Sequence, residues 1–292
     1  MAAVPTTLAA LDMARERYGS MTLAQLIAPA IAVAERGYRL NPSQIVWSNV
    51  YFELLLRSGY LRLIALDDGS LVGRPADEDA AIGRPGDLRC RPELAATLRL
   101  IQERGVGVFY RGEIADRIDA DMVAHGGFVR KADLAMLRVR EVPALQAAYR
   151  GFRVITFPAP GGGPAVIGAL RILESFSSAL VAERSTWRHQ VLLEATRIAY
   201  ATRSSPDRIA FPRPGAAGSA PYEDDLASLI TPGVPIADAA LRGPVPPGCE
   251  PPGESTTQIS VADSQGNVVS LTQTLGRSFG AKRPAAGEVV FN

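Results

Sequence analysis

The chain has 292 residues, 47% of them hydrophobic and 21% charged, with 31 basic against 30 acidic side chains and a formal net charge of +1. That composition excludes disorder throughout, and the balanced charge without a basic stripe speaks against a nucleic-acid footprint. No apolar run of about 18 residues exists, so no membrane span is expected.

In chain order, the first 200 residues read mainly as helix. Thr6 or Thr7 is suited to cap a helix that runs to about Arg17 and stops at Gly19. Thr22 opens a second, with apolar Leu23, Leu26, Ile27, Ile31 and Val33, which ends at Gly37. Trp47, Tyr51 and Leu55, spaced by four, read as core. Pro92 suits the first turn of a helix ending before Gly105. Further helical patterns cover 111–124, 165–180 and 187–202, and the Arg-rich stretch Arg130–Arg140 reads as a solvated surface. Between them Gly151–Phe157 alternates like a strand and stops at Pro158. Gly161-Gly162-Gly163 then reads as a strand-to-helix turn, since no Gly-Lys-Ser/Thr follows to make a phosphate loop.

From Pro206 to Pro252 the character changes, with eleven of the chain's 22 prolines in that stretch. Proline removes amide donors and fixes φ, so irregular structure or a linker is expected. Beyond it, Thr257–Asp263 and Val268–Thr274 are β-rich runs joined by Ser264-Gln265-Gly266-Asn267, a hairpin signal. Val289-Val290-Phe291 reads as the start of another strand.

Candidate chemistry follows from the strand that opens with Ser255-Thr256-Thr257 straight after the proline-rich stretch. A threonine hydroxyl at such a point can attack the preceding carbonyl, and cleavage frees its own α-amine, with an ordinary pKa of about 8. Nucleophile and base are then one residue. The hairpin pairs Thr257 with Thr274 in this reading and brings Thr274 within one residue of Thr256, close enough to hold its hydroxyl or amine. Thr-rich hairpins also arise from strand propensity alone. Cys90 and Cys249 make neither a metal signature nor a disulfide framework. His125 reads as a helix C-terminal residue, and it and His189 are a poor basis for a metal site. Arg197 and Arg203 read as surface or packing residues.

The segment Thr256-Thr257-Gln258-Ile259-Ser260-Val261-Ala262-Asp263, then Gly266-Asn267 and Ser270-Leu271-Thr272-Gln273-Thr274, resembles the start of the small subunit of γ-glutamyltransferases, where Thr-Thr-His-X-Ser-Val-Val-Asp is followed by Gly-Asn and a strand ending in threonine. Ser278-Phe279-Gly280 continues the match. Separate segments fit in the right order: Leu26-Ile27-Ala28-Pro29-Ala30-Ile31, Ala34-Glu35-Arg36-Gly37, Phe109-Tyr110-Arg111-Gly112-Glu113-Ile114-Ala115, Tyr149-Arg150-Gly151 and Ile172-Leu173-Glu174.

The resemblance implies an α/β (α+β) fold, the four-layer αββα sandwich of N-terminal nucleophile hydrolases, incomplete at both ends. Residues 1–205 would be large-subunit-like, 206–255 a proline-rich linker before the cleavage point, and 256–292 the start of the small subunit, both subunits coming from one precursor. Ser255–Thr256 would be the scissile bond, Thr256 the nucleophile and Thr274 its support. The implied activity is γ-glutamyl transfer or hydrolysis on glutathione or a related γ-glutamyl amide, with no metal or organic cofactor. A cephalosporin-type acylase and a non-catalytic remnant are the other readings. Gln258 stands where the family usually has histidine, and Gly276 where it usually has a substrate-contacting asparagine. The family's carboxylate-gripping arginine would lie upstream of residue 1 and its oxyanion glycines downstream of residue 292, so residues 1–292 alone are expected to have little activity. No signal peptide is legible at the N-terminus, while the resemblance implies a periplasmic or secreted parent.

Overall fold

A computed structural model describes residues 3–50, 85–159, 161–203, 226–237, 256–275, 284–285 and 289–290. Helix and strand are mixed, and the chain divides into two compact units, Met1–Val139 with Pro251–Asn292, and Arg140–Glu250.

In the first unit, Thr22 starts α2 (Leu23–Arg36) with a full capping box. Gln25 N–H donates to Thr22 Oγ1 at 3.2 Å, and Gln25 Oε1 accepts from Thr22 N at 2.9 Å. Two orphan amide donors are thereby satisfied. The helix ends at Gly37, whose φ of +82 suits glycine and where a Cβ would lie 2.7 Å from Arg89 O. That close approach seats β1 (Tyr38–Arg39) against β2 (Leu88–Arg89). Of the apolar residues expected to face inward, Ile31 is buried and Leu23 and Ile27 pack on the core, but Leu26 and Val33 are exposed. Positions 23, 27, 31 and 34 form one stripe, and 26 and 33 fall off its edge.

The capping expectation for α1 (Thr7–Tyr18) is corrected. Thr6 occupies the cap position but makes no side-chain cap bond. The phenol of Tyr110 does that work instead: it accepts from Ala9 N at 3.0 Å and donates to Pro5 O at 3.0 Å. Burial raises the Tyr110 pKa, opposed by the Ala9 bond. Tyr110→Phe leaves both backbone groups unpartnered, so we expect a loss of about 1–3 kcal/mol, read as a lower urea midpoint at unchanged m-value.

Trp47, on α3 (Pro42–Val50), is half exposed rather than core, and Tyr51 and Leu55 lie outside the described residues. The main core of this unit joins Ile101 of α4 (Pro92–Arg104), Val108, Phe109 and Tyr110 of the short α5 (Gly107–Tyr110), and Ile114, Ala115 and Ile118 of α6 (Glu113–Ala124). Within the Arg-rich stretch, α7 (Lys131–Met136) adds fully buried Leu134, while half-buried Lys131 pairs with Asp116 at 2.5 Å. One apolar side chain on a charged turn is enough to dock it.

The second unit begins with β3 (Leu145–Tyr149) and β4 (Phe152–Thr156), an antiparallel pair. Arg150 and Gly151 join them with φ of 48 and 85, the two positive φ values of a tight hairpin turn. Arg150 Nη2 also donates to Leu173 O and Phe176 O at 3.1 and 2.8 Å. The expected helix over 165–180 is two helices, α8 (Gly163–Glu174) and α9 (Ser178–Ala182), because the Ser177 hydroxyl accepts from Leu180 N and caps a new start. Gly163 opens α8 where a Cβ would stand 1.9 Å from Phe157 O, so the glycine run serves the strand-to-helix turn.

Helix α10 (Thr186–Arg203) packs on α8. It also holds part of the proline-rich stretch, of which 226–237 are described. Ala227 and Ile230 are buried beside Val191 and Ile198. Glu194, 3% exposed, accepts from Ile236 N at 3.1 Å and from Arg197 at 2.6 Å, and Arg197 donates on to Ile236 O. These residues pack where the prolines led to an expectation of irregular linker, since α10 supplies the donors and acceptors that their backbone lacks within itself. Among the described residues, the remaining strands pair as β5 (Thr256–Ala262) with β6 (Val268–Thr274), and β7 (Pro284–Ala285) with β8 (Val289–Val290).

Candidate active site

The hairpin β5–β6 is built by alternation. Thr256, Gln258 and Ser260 share one face with Thr274, Thr272 and Ser270. Ile259 and Val261 share the other with Leu271 and Val269. One face is therefore a ladder of hydroxyls and an amide, the other a ladder of branched apolar side chains that favours strand geometry.

The register differs from the expected one. Thr256, not Thr257, stands opposite Thr274, and Ala262, not Asp263, opposite Val268. The cause is Asp263. Its carboxylate accepts from Gln265 N and Asn267 N, both at 2.9 Å, and from Asn267 Nδ2 at 2.8 Å. This closes the loop on the aspartate side chain. Asp263 N then donates to Asn267 O at 3.1 Å, and Gly266 takes a φ of +86. The loop thus runs from Asp263 to Asn267, one residue longer than read. The bond from the Asn267 amide, first among several, holds the Asp263 carboxyl below its usual range.

A shift of one residue changes which face each side chain takes. Thr256 and Thr274 consequently lie on the same face, and Thr256 Oγ1 donates to Thr274 Oγ1 at 3.2 Å. Both are exposed. Below them Thr272 Oγ1 donates to Gln258 Oε1, and Gln258 Nε2 donates to Ser270 Oγ at 2.9 Å. This row of polar contacts was missed in the sequence, although the alternation of Thr256, Gln258 and Ser260 was its signal. Ser255 and Gly276 lie outside the described residues, as does Cys249.

The other candidates serve structure. His125 caps the end of α6, its Nδ1 2.8 Å from Asp121 O, and His189 Nδ1 lies 2.7 Å from Ser185 O. Arg197 pairs with Glu194 in the packing described above. Among the described residues, no group of three or more His, Cys, Asp or Glu is placed to hold a metal ion, and no helix is long and apolar enough to cross a membrane.

A family model described as gamma-glutamyltranspeptidase matches residues 1–290. A glutathione hydrolase proenzyme of Pseudomonas sp. (strain A14) is 33% identical over 294 residues, covering 97% of this chain and 48% of that protein. The chain spans about half the length of the curated relatives it matches. Among solved structures, gamma-glutamyltranspeptidase of Helicobacter pylori aligns at a TM-score of 0.67 and 27% identity, over 82% of this chain and 67% of that one. A cephalosporin acylase from Bacillus halodurans aligns at 0.75 and 26%, over 99% of this chain and 51% of that one.

Proposed function

The chain belongs to the gamma-glutamyltranspeptidase family, and from that premise we propose that Thr256 is the nucleophile of a γ-glutamyl transferase or hydrolase that matures by cutting itself at Ser255–Thr256. The observation that carries this reading is the hydrogen bond from Thr256 Oγ1 to Thr274 Oγ1 across the ladder. The Thr274 hydroxyl thereby fixes where the Thr256 oxygen stands, poised for attack.

In maturation, Thr256 Oγ adds to the Ser255 carbonyl, its proton passes to the Thr256 nitrogen as the amide C–N bond breaks, and an ester replaces the amide. Water then hydrolyses the ester, leaving the Ser255 carboxylate, a free hydroxyl and a new α-amine on Thr256. In turnover, that amine takes the Oγ proton while Oγ attacks the γ-carbonyl of glutathione or a related γ-glutamyl amide. The amine returns the proton to the departing amino group. Water or an amino acid next attacks the γ-glutamyl ester and restores Thr256. On this reading residues 1–205 belong to the large subunit, 206–255 lead to the cleavage point, and 256–292 open the small subunit of the same precursor. The fold is the four-layer αββα sandwich of N-terminal nucleophile hydrolases. Likeness to the glutathione hydrolase proenzymes and to the solved gamma-glutamyltranspeptidase supports it.

Purified full-length protein is expected to yield a C-terminal fragment whose Edman sequence begins Thr-Thr-Gln-Ile. A single uncleaved chain after prolonged incubation would overturn the cleavage site. The second reading, an acylase of the cephalosporin type, is favoured by the acylase structure that aligns over nearly the whole chain. Glutamate release from glutathione against release of a cephalosporin side chain separates the two readings.

A further inference from the structure

Next to the Thr256–Thr274 rung, on the same face, stands Gln258 opposite Thr272. Thr272 Oγ1 donates to the Gln258 carbonyl oxygen, and Gln258 Nε2 donates to Ser270 Oγ at 2.9 Å. One amide on β5 therefore grips two residues of β6, the strand that carries Thr274, through an acceptor and a donor. The opposite face, Ile259 with Leu271 and Val261 with Val269, adheres without direction. The Asp263 loop sets the register, and an amide that meets a donor and an acceptor on successive rungs of this face holds β6 to it near the reacting rung. A slip of one residue would move Thr274 to the face away from Thr256.

We propose that Gln258 is a positioning residue: it holds Thr274 close opposite Thr256 in the register that the Asp263 loop sets, and acts on the reaction through that placement, without touching substrate. The inference rests on Thr256 as nucleophile. A neutral hydrogen bond contributes only modestly, net, to stability. Displacing reacting groups by about 1 Å, by contrast, costs on the order of 100-fold in rate. Removal of the Gln258 amide should therefore show in kcat far more than in Tm.

The test uses the full-length protein with Gln258→Leu, Thr272→Val, the double variant, Gln258→Glu, and Thr256→Ala as reference. The readouts are cleavage rate, kcat and KM for glutathione hydrolysis, and Tm. For Gln258→Leu we expect slower cleavage and a kcat down by about tenfold or more, with KM within about twofold. Tm should stay within about 2 °C. The double variant should fall no lower than Gln258→Leu alone, because the one bond that Thr272→Val breaks is already lost there. Gln258→Glu keeps the acceptor for Thr272 and loses the donor to Ser270, so it should recover part of kcat. Should Gln258→Leu not fold, Thr272→Val breaks the Gln258–Thr272 bond from the other strand and should lower kcat in the same direction by a smaller factor, since the bond to Ser270 remains. Full kcat in Gln258→Leu, additive losses in the double variant, or a fall in Tm that tracks kcat would each overturn the positioning role. Turnover retained by Thr256→Ala would overturn the nucleophile assignment instead.

Discussion

Thr256→Ala in the full-length protein is expected to abolish both maturation and turnover. The same oxygen attacks twice on this reading, first at the Ser255 carbonyl and then at the substrate carbonyl, and alanine has no atom to replace it. Loss of a catalytic nucleophile typically removes about 10⁴-fold or more of rate. The protein should run as one uncleaved chain and release no glutamate from glutathione above blank. Thr256→Ser keeps a hydroxyl and the α-amine and should retain both activities at reduced rate. A Thr256→Ala protein that still hydrolyses a γ-glutamyl anilide would remove Thr256 from the mechanism.

Thr274→Val is expected to have the next largest effect. Valine matches threonine in shape and strand preference but has no hydroxyl, so the ladder stays while the 3.2 Å bond to Thr256 goes. A positioned proton-handling partner is worth on the order of 100-fold. Cleavage and kcat should fall together by about that factor, with KM little changed because the hydroxyl serves the nucleophile and not the substrate. Thr274→Ser should restore most of the rate. The measurement is the time course of cleavage by intact mass, followed by steady-state kinetics on matured protein. Wild-type rates in Thr274→Val would remove Thr274 as the support of Thr256.

Much of the local structure was written in the sequence. Thr22 with Gln25, Gly37 and Pro92 carry their own start and stop signals, and the helices they bound form where those signals stand. Alternation placed β4 and the β5–β6 hairpin, because successive side chains of a strand take opposite faces with a period of two. Thr256 and Thr274 were legible as neighbours for the same reason. Their shared face was not, since the register depends on how Asp263 folds its carboxylate over Gln265, Gly266 and Asn267, and one residue of loop length reverses every side chain.

Other features depended on groups far apart in the chain. The α1 cap is the Tyr110 phenol, some hundred residues away, which displaced the local choice of Thr6 because a buried hydroxyl needs partners and found Pro5 O and Ala9 N. Residues 226–237 read as linker from their prolines, yet Gln190, Glu194 and Arg197 on α10 satisfy their backbone and Ala227 and Ile230 are buried. Sequence alone determined the family pattern, the bounds of α2 and α4, and the pairing of the two runs that carry Thr256 and Thr274. The tertiary structure decided register, long-range capping and which proline-rich residues pack, because each of these is a hydrogen bond or burial that requires a partner no local window contains.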